Sequence, residues 1–134
     1  MKLKILHLED NVMKQIAITR VIRSVTEAEI IWVPDMASGM EKIEEALKQN
    51  KPFDLAITDM HYPLSKGSKS DLEAGENFIA EVKNRNLSLP IIICSSVNHR
   101  NDDILGCVWY HEVYDWESKM RELINQILKK KAYV

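Results

Sequence analysis

Cysteine, glycine and proline are scarce in this chain, at two, four and four of 134 residues. Two cysteines, Cys94 and Cys107, both in apolar surroundings, cannot form a disulfide framework. They read as reduced core thiols of a cytoplasmic protein. So little glycine and proline excludes collagen-like, low-complexity and linker-rich chains. No apolar run reaches membrane-spanning length; the uncharged stretch 87–98 is too short and holds Pro90. A basic-then-apolar start at 1–6 is cut off by His7, Glu9 and Asp10, too early for a signal peptide. Charge of one sign is lacking too. With 18 basic against 20 acidic side chains, the net charge of −2 offers no footprint for nucleic acid or an anionic membrane. What is present is 46% apolar residues in 134, enough for one compact domain, 1–134, that needs no staples.

The apolar residues alternate between two patterns. Short β-like runs lie at 5–8, 30–33, 53–58, 90–94 and 107–110. Between them, apolar residues recur every three or four positions: Ala17, Ile18, Val21, Ile22 and Val25, then Met36, Met40, Ile43 and Leu47, then Phe78, Ile79 and Val82. A final stripe of Met120, Leu123, Ile124, Ile127 and Leu128 follows Asp115, which can cap it. The stretch 97–105 has room for a short helix ended by Gly106. Five strands alternating with five helices predict an α/β fold with a parallel sheet covered on both faces.

In such a sheet, chemistry gathers outside the carboxyl ends of the strands. Here the first strand ends in Glu9-Asp10, the third in Asp59 and the fourth in Ser95-Ser96. Singly, each acid is an ordinary cap or turn residue. Together, three carboxylates at one edge repel one another. A hard divalent cation such as Mg²⁺ relieves this, taking oxygen ligands while keeping waters for a phosphate.

These residues, in this order, resemble the receiver domain of two-component response regulators. The resemblance spans nearly the whole chain. It rests on Leu8-Glu9-Asp10-Asn11, on Asp59-Met60-His61-Tyr62-Pro63, on Ala74-Gly75-Glu76 and on Pro90 through Ser96. It implies a doubly wound, flavodoxin-like fold with strand order 2-1-3-4-5. It implies Asp59 as phosphoacceptor, with Asp10 a direct Mg²⁺ ligand, Glu9 a water-mediated one, and Asp59 and the His61 carbonyl completing the set. Ser95 is the implied switch hydroxyl and Tyr110 the aromatic that follows its movement. The implied function is phosphorelay signalling: a histidine kinase or phosphotransfer protein donates a phosphoryl group, and a protein-binding face changes. Such a domain is no enzyme beyond its own phosphorylation and dephosphorylation. It would act through a downstream protein target, without nucleic acid or membrane.

Two departures stand out. The family's lysine at the end of the last strand is absent, since no Lys or Arg lies between Arg100 and Lys119. This opens an alternative, a pseudo-receiver adaptor that binds partners without phosphorylation. Second, an insertion at about 64–72 lengthens the loop after strand three and carries Lys66 and Lys69. The expectation is that one of these lysines substitutes for the missing cation, with His111 the competitor. An aspartyl phosphohydrolase would need an acid two residues after Asp59, where His61 stands. A nucleotide binder would need a phosphate loop where Glu9-Asp10 repel phosphate. Trp109, Tyr110, Tyr114 and Trp116 cluster as core or as a partner patch.

Overall fold

In the computed structural model, which describes residues 2–132, the alternating segments form a five-stranded sheet between two layers of helices. The elements are β1 (Lys2–Leu8), α1 (Val12–Val25), β2 (Glu27–Val33), α2 (Met36–Lys48), β3 (Leu55–Thr58), β4 (Tyr62–Pro63), β5 (Ser70–Asp71), α3 (Ala74–Asn84), β6 (Ile91–Ser95), β7 (Gly106–Trp109) and α4 (Trp116–Ala132). The sheet order is β2-β1-β3-β6-β7, parallel throughout. This is the doubly wound arrangement that the family resemblance implies, with β6 and β7 as its fourth and fifth strands.

Strand alternation divides the core in two. Leu6, Leu8, Ile91 and Ile93 face Met40, Ile43, Phe78 and Val82 of α2 and α3. Leu3, Ile5, Ile92 and Cys94 face Ile18, Ile22, Met120, Leu123 and Ile124 of α1 and α4. The central strands are buried on both faces, as a parallel sheet requires. Each fully buried Leu or Ile there contributes roughly 1.5–3 kcal/mol.

The helix starts follow the sequence. Asn11 Oδ1 accepts from Lys14 N (3.0 Å) and Asp35 Oδ1 from Ser38 N (2.8 Å), capping α1 and α2. Asp115 likewise takes Ser118 N at 3.2 Å at the start of α4.

Two segments differ from expectation. No helix forms at 97–105; bends and turns connect β6 to β7, leaving four helices among the described residues. Polar side chains compete for the backbone there: Asn101 Oδ1 accepts from Asp103 N at 2.9 Å, and Ser95 Oγ from Val97 N at 3.2 Å. The loop after β3 forms an antiparallel hairpin in which Tyr62 pairs with Asp71 and Pro63 with Ser70. Leu64 O accepts from Ala37 N (2.9 Å), so the hairpin leans on the start of α2. No helix of the described residues is long and apolar enough to cross a membrane.

Candidate functional site

Parallel pairing of β1 with β3 sets Leu8 beside Thr58, and Asp59 N donates to Leu8 O at 3.1 Å. The residues that follow each strand therefore meet. One carboxylate oxygen from each of Glu9, Asp10 and Asp59 lies within 4.8 Å of the others. Glu9 is buried and held hard: its N donates to Val33 O (3.0 Å), and its carbonyl accepts from Trp32 Nε1 (2.6 Å). Its Oε2 accepts from Asn11 N at 3.2 Å. Asp10 is exposed and Asp59 half-buried, with Asp59 Oδ1 accepting from Met60 N at 2.6 Å.

The acids meet a cation that sequence reasoning missed. Lys14, in the first turn of α1, is 7% exposed. Its Nζ lies 2.8 Å from Glu9 Oε1 and 3.0 Å from Asp59 Oδ2, and donates to Cys94 O at 2.7 Å. The same Nζ stands 5.4 Å from the centre of the Tyr110 ring. A signal existed: Lys14 is four residues before Ile18 and seven before Val21, on the buried stripe of α1. A lysine on an apolar stripe needs a buried partner.

Burial works against the Lys14 ammonium, but Asp59 and Glu9 outweigh it and hold its pKa above the usual lysine value. Burial pushes the Glu9 carboxyl up to about 7, with the Lys14 charge pulling the other way. Beneath the acids, His7 is fully buried with neither ring nitrogen hydrogen-bonded. Burial first, then Lys14, lower its pKa to about 3, so the imidazole is neutral.

The donor set suits a divalent cation. One ammonium against three carboxylates leaves negative charge over. Glu9 Oε1 is buried, and the Lys14 ammonium at 2.8 Å is the partner it has there. An all-oxygen cluster with one exposed acid suits a hard ion that keeps part of its water. An open cleft of about 410 Å³ fronts the cluster, lined also by Asn11, Met13, Ser96 and Tyr110. A larger apolar groove of about 570 Å³, lined by Phe53, Leu87 and Ile127, is far from the acids, at the amino ends of β3 and β6.

The other predicted residues are distributed as follows. His61 is half-buried two residues after Asp59. Ser95 is buried at the end of β6, while Ser96 faces the cleft. Tyr110 is not beside the Ser95 side chain. Strand alternation puts Ser95 on the α2–α3 face with its register partner Trp109, whereas Tyr110 packs in the α1–α4 layer against Trp116 at 4.8 Å. Lys66 and Lys69 are exposed on the hairpin, whose docking on α2 carries them outward; the ion pair with Asp59 is made by Lys14 instead. His111 stacks on Trp109 at 4.7 Å, and its Nδ1 accepts from Val113 N.

No protein-family model matches the sequence, and comparison with curated proteins finds no match. Solved structures do match. The manganese-bound form of response regulator Rcp1 is 18% identical over 90% of this chain and 91% of its own, with TM-score 0.67. The receiver domain of an HD-domain-containing protein from Pseudomonas fluorescens Pf-5 is 12% identical over the full length of both chains, with TM-score 0.71. RcsB from Salmonella enterica serovar Typhimurium, bound to promoter DNA with phosphomimetic BeF3−, is 16% identical over 92% of this chain and 66% of its own, with TM-score 0.68. The chain has the fold of response-regulator receiver domains.

Proposed function

We propose that this chain is a receiver that accepts a phosphoryl group on Asp59 in a two-component phosphorelay. The observation that carries the reading is the convergence of Glu9 and Asp10 on Asp59 at the edge where the carboxyl ends of the strands lie. An Asp59 carboxylate oxygen forms the new bond to phosphorus as the bond to the donor imidazole breaks. The leaving nitrogen takes the bonding pair and a proton from solvent. Asp59 is oriented for this by the Met60 N–H on its other oxygen. Glu9, Asp10, Asp59 and the His61 carbonyl would hold Mg²⁺, which when bound supplies neutralisation of the transferring oxygens. The manganese in Rcp1 and the BeF3− in the RcsB complex support both parts by analogy.

Ser95 supplies the response. Its Oγ accepts from Val97 N, which leaves its hydroxyl hydrogen to donate to a phosphoryl oxygen. A rotation of that hydroxyl redraws the irregular segment 96–105 and the Trp109 side chain, whose Nε1 donates to Ser96 O at 2.9 Å. The donor is a histidine kinase or phosphotransfer protein, and the output is a protein surface.

The test is incubation with Mg²⁺ and acetyl phosphate followed by intact mass measurement. Wild type should gain one phosphoryl group, Asp59→Asn none, and Asp10→Ala should lose divalent binding by amide NMR shifts. A wild type that gains nothing is the non-phosphorylated adaptor instead.

A further inference from the structure

We infer that Lys14, delivered by α1, is the cation that meets the phosphoryl group of this chain, in place of a lysine on the last strand. The inference rests on Asp59 being the phosphoacceptor. Of the residues lining the acidic cleft, Lys14 alone is basic. Its Nζ is already 3.0 Å from the Asp59 oxygen Oδ2, so a group bonded to that carboxylate arrives within its reach.

The side chain is set in advance. Asn11 Oδ1 holds the Lys14 backbone N, and the buried stem ends with Nζ anchored on Cys94 O at 2.7 Å. An ammonium has three donors, and here one rests on a carbonyl while two face carboxylates. Converting Asp59 to the acyl phosphate removes that carboxylate's charge, and the same ammonium transfers its ion pair to a phosphoryl oxygen. No proton leaves Lys14 and no bond to it forms; its charge and donors alone change partner. Little side-chain entropy remains to be lost, because the stem is already packed.

The competing cations are badly placed. Lys66 and Lys69 sit exposed on a hairpin tied to α2 through Leu64 O. His111 has its Nδ1 engaged by Val113 N and its ring on Trp109. A second consequence concerns signalling. Lys14 Nζ lies over the Tyr110 ring, and Tyr110 packs on Trp116 at the start of α4. Movement of the ammonium therefore reaches the α1–α4 layer, the face opposite the one Ser95 addresses.

Beryllofluoride with Mg²⁺ is the probe, read by fluorine NMR on the full chain, with fold checked by circular dichroism. Lys14→Met should bind it at least about tenfold more weakly than wild type, the worth of one charge-assisted hydrogen bond. Lys14→Gln, which keeps two donors without the charge, should fall between. Should both variants unfold, the wild type decides alone: the Lys14 Nζ nitrogen resonance should shift when beryllofluoride binds. Equal binding by Lys14→Met, or an unshifted Nζ, overturns the inference while leaving Asp59 as acceptor. So does a comparable loss in Lys66→Ala/Lys69→Ala with Lys14→Met intact, which assigns the role to the hairpin. Mn²⁺ binding that appears only after Lys14 is replaced also overturns it, because the ammonium then stands in for the metal. A wild type that neither binds beryllofluoride nor is labelled by acetyl phosphate refutes the receiver reading itself, and this inference with it.

Discussion

Gly75→Ala should damage both stability and the phosphoacceptor, and the structure sets the size of the effect. Gly75 is the second residue of α3, and its N donates to Met60 O at 3.0 Å. A Cβ built there would meet Asp59 O at 2.5 Å, Met60 Cα at 2.8 Å and Met60 Sδ at 2.8 Å. Ordinary contact begins near 3.4 Å, so the start of α3 and the 59–60 backbone must part by roughly 1 Å. Two of those three obstacles are backbone, and that backbone is tied to β1 through Asp59 N. Overpacking of this kind costs about 1–3 kcal/mol, and a rigid obstacle places it near 2. With an unfolding entropy of about 2 cal/mol/K per residue, the melting temperature should fall by roughly 7 °C. Acetyl-phosphate labelling of Asp59 should slow as well, since Asp59 moves with its carbonyl. Gly39→Ala is the control: its Cβ would meet Leu8 Cδ2 at 2.7 Å, the free end of a side chain that can rotate away. There a gain in helix propensity of up to about 1 kcal/mol offsets the contact. Differential scanning calorimetry and intact mass measurement decide it. If Gly75→Ala melts within about 2 °C of wild type, or no lower than Gly39→Ala, the steric reasoning fails.

Thr58→Val should destabilise more than Tyr62→Phe by chemical denaturation. The Tyr62 hydroxyl is fully buried 2.8 Å from Thr58 Oγ1, which in turn donates to Asp59 O at 2.7 Å. Valine leaves the phenol unsatisfied, at about 1–3 kcal/mol, whereas phenylalanine removes a donor and leaves Thr58 its carbonyl, at about 1 kcal/mol. Alkylation by iodoacetamide at pH 8 should modify Cys107 first and Cys94 only in denaturant, as peptide mapping would show. Burial pushes the Cys94 thiol up to about 12, and only 1% of the residue is exposed. Asp35→Ala should cost about 0.5–2 kcal/mol in equilibrium unfolding, because Asp35 caps α2 with bonds to Ser38 N and Oγ, each 2.8 Å.

The order of elements was legible in the sequence because it depends on local periodicity. Val12–Val25 and Trp116–Ala132 show helical stripes, and Ile91–Ser95 shows a run buried on both faces. Asp59, Glu9 and Asp10 were legible as a cluster for a related reason. A parallel sheet places all its strand ends at one edge, so residues that follow strands must meet there. Two things were settled only by tertiary structure, and one by local side-chain bonds. Segment 97–105 forgoes a helix because Asn101 and Ser95 bond its backbone, a competition that composition alone leaves open. Tyr110 lies across the sheet from Ser95 because the register pairs Ser95 with Trp109, and one position of register changes the face. Lys14 shares the buried stripe of α1, but it is the cation of the site because its stem passes through the core to Cys94, eighty positions along the chain. A side chain's partner at that separation follows from how helices and strands pack, and no local pattern encodes it.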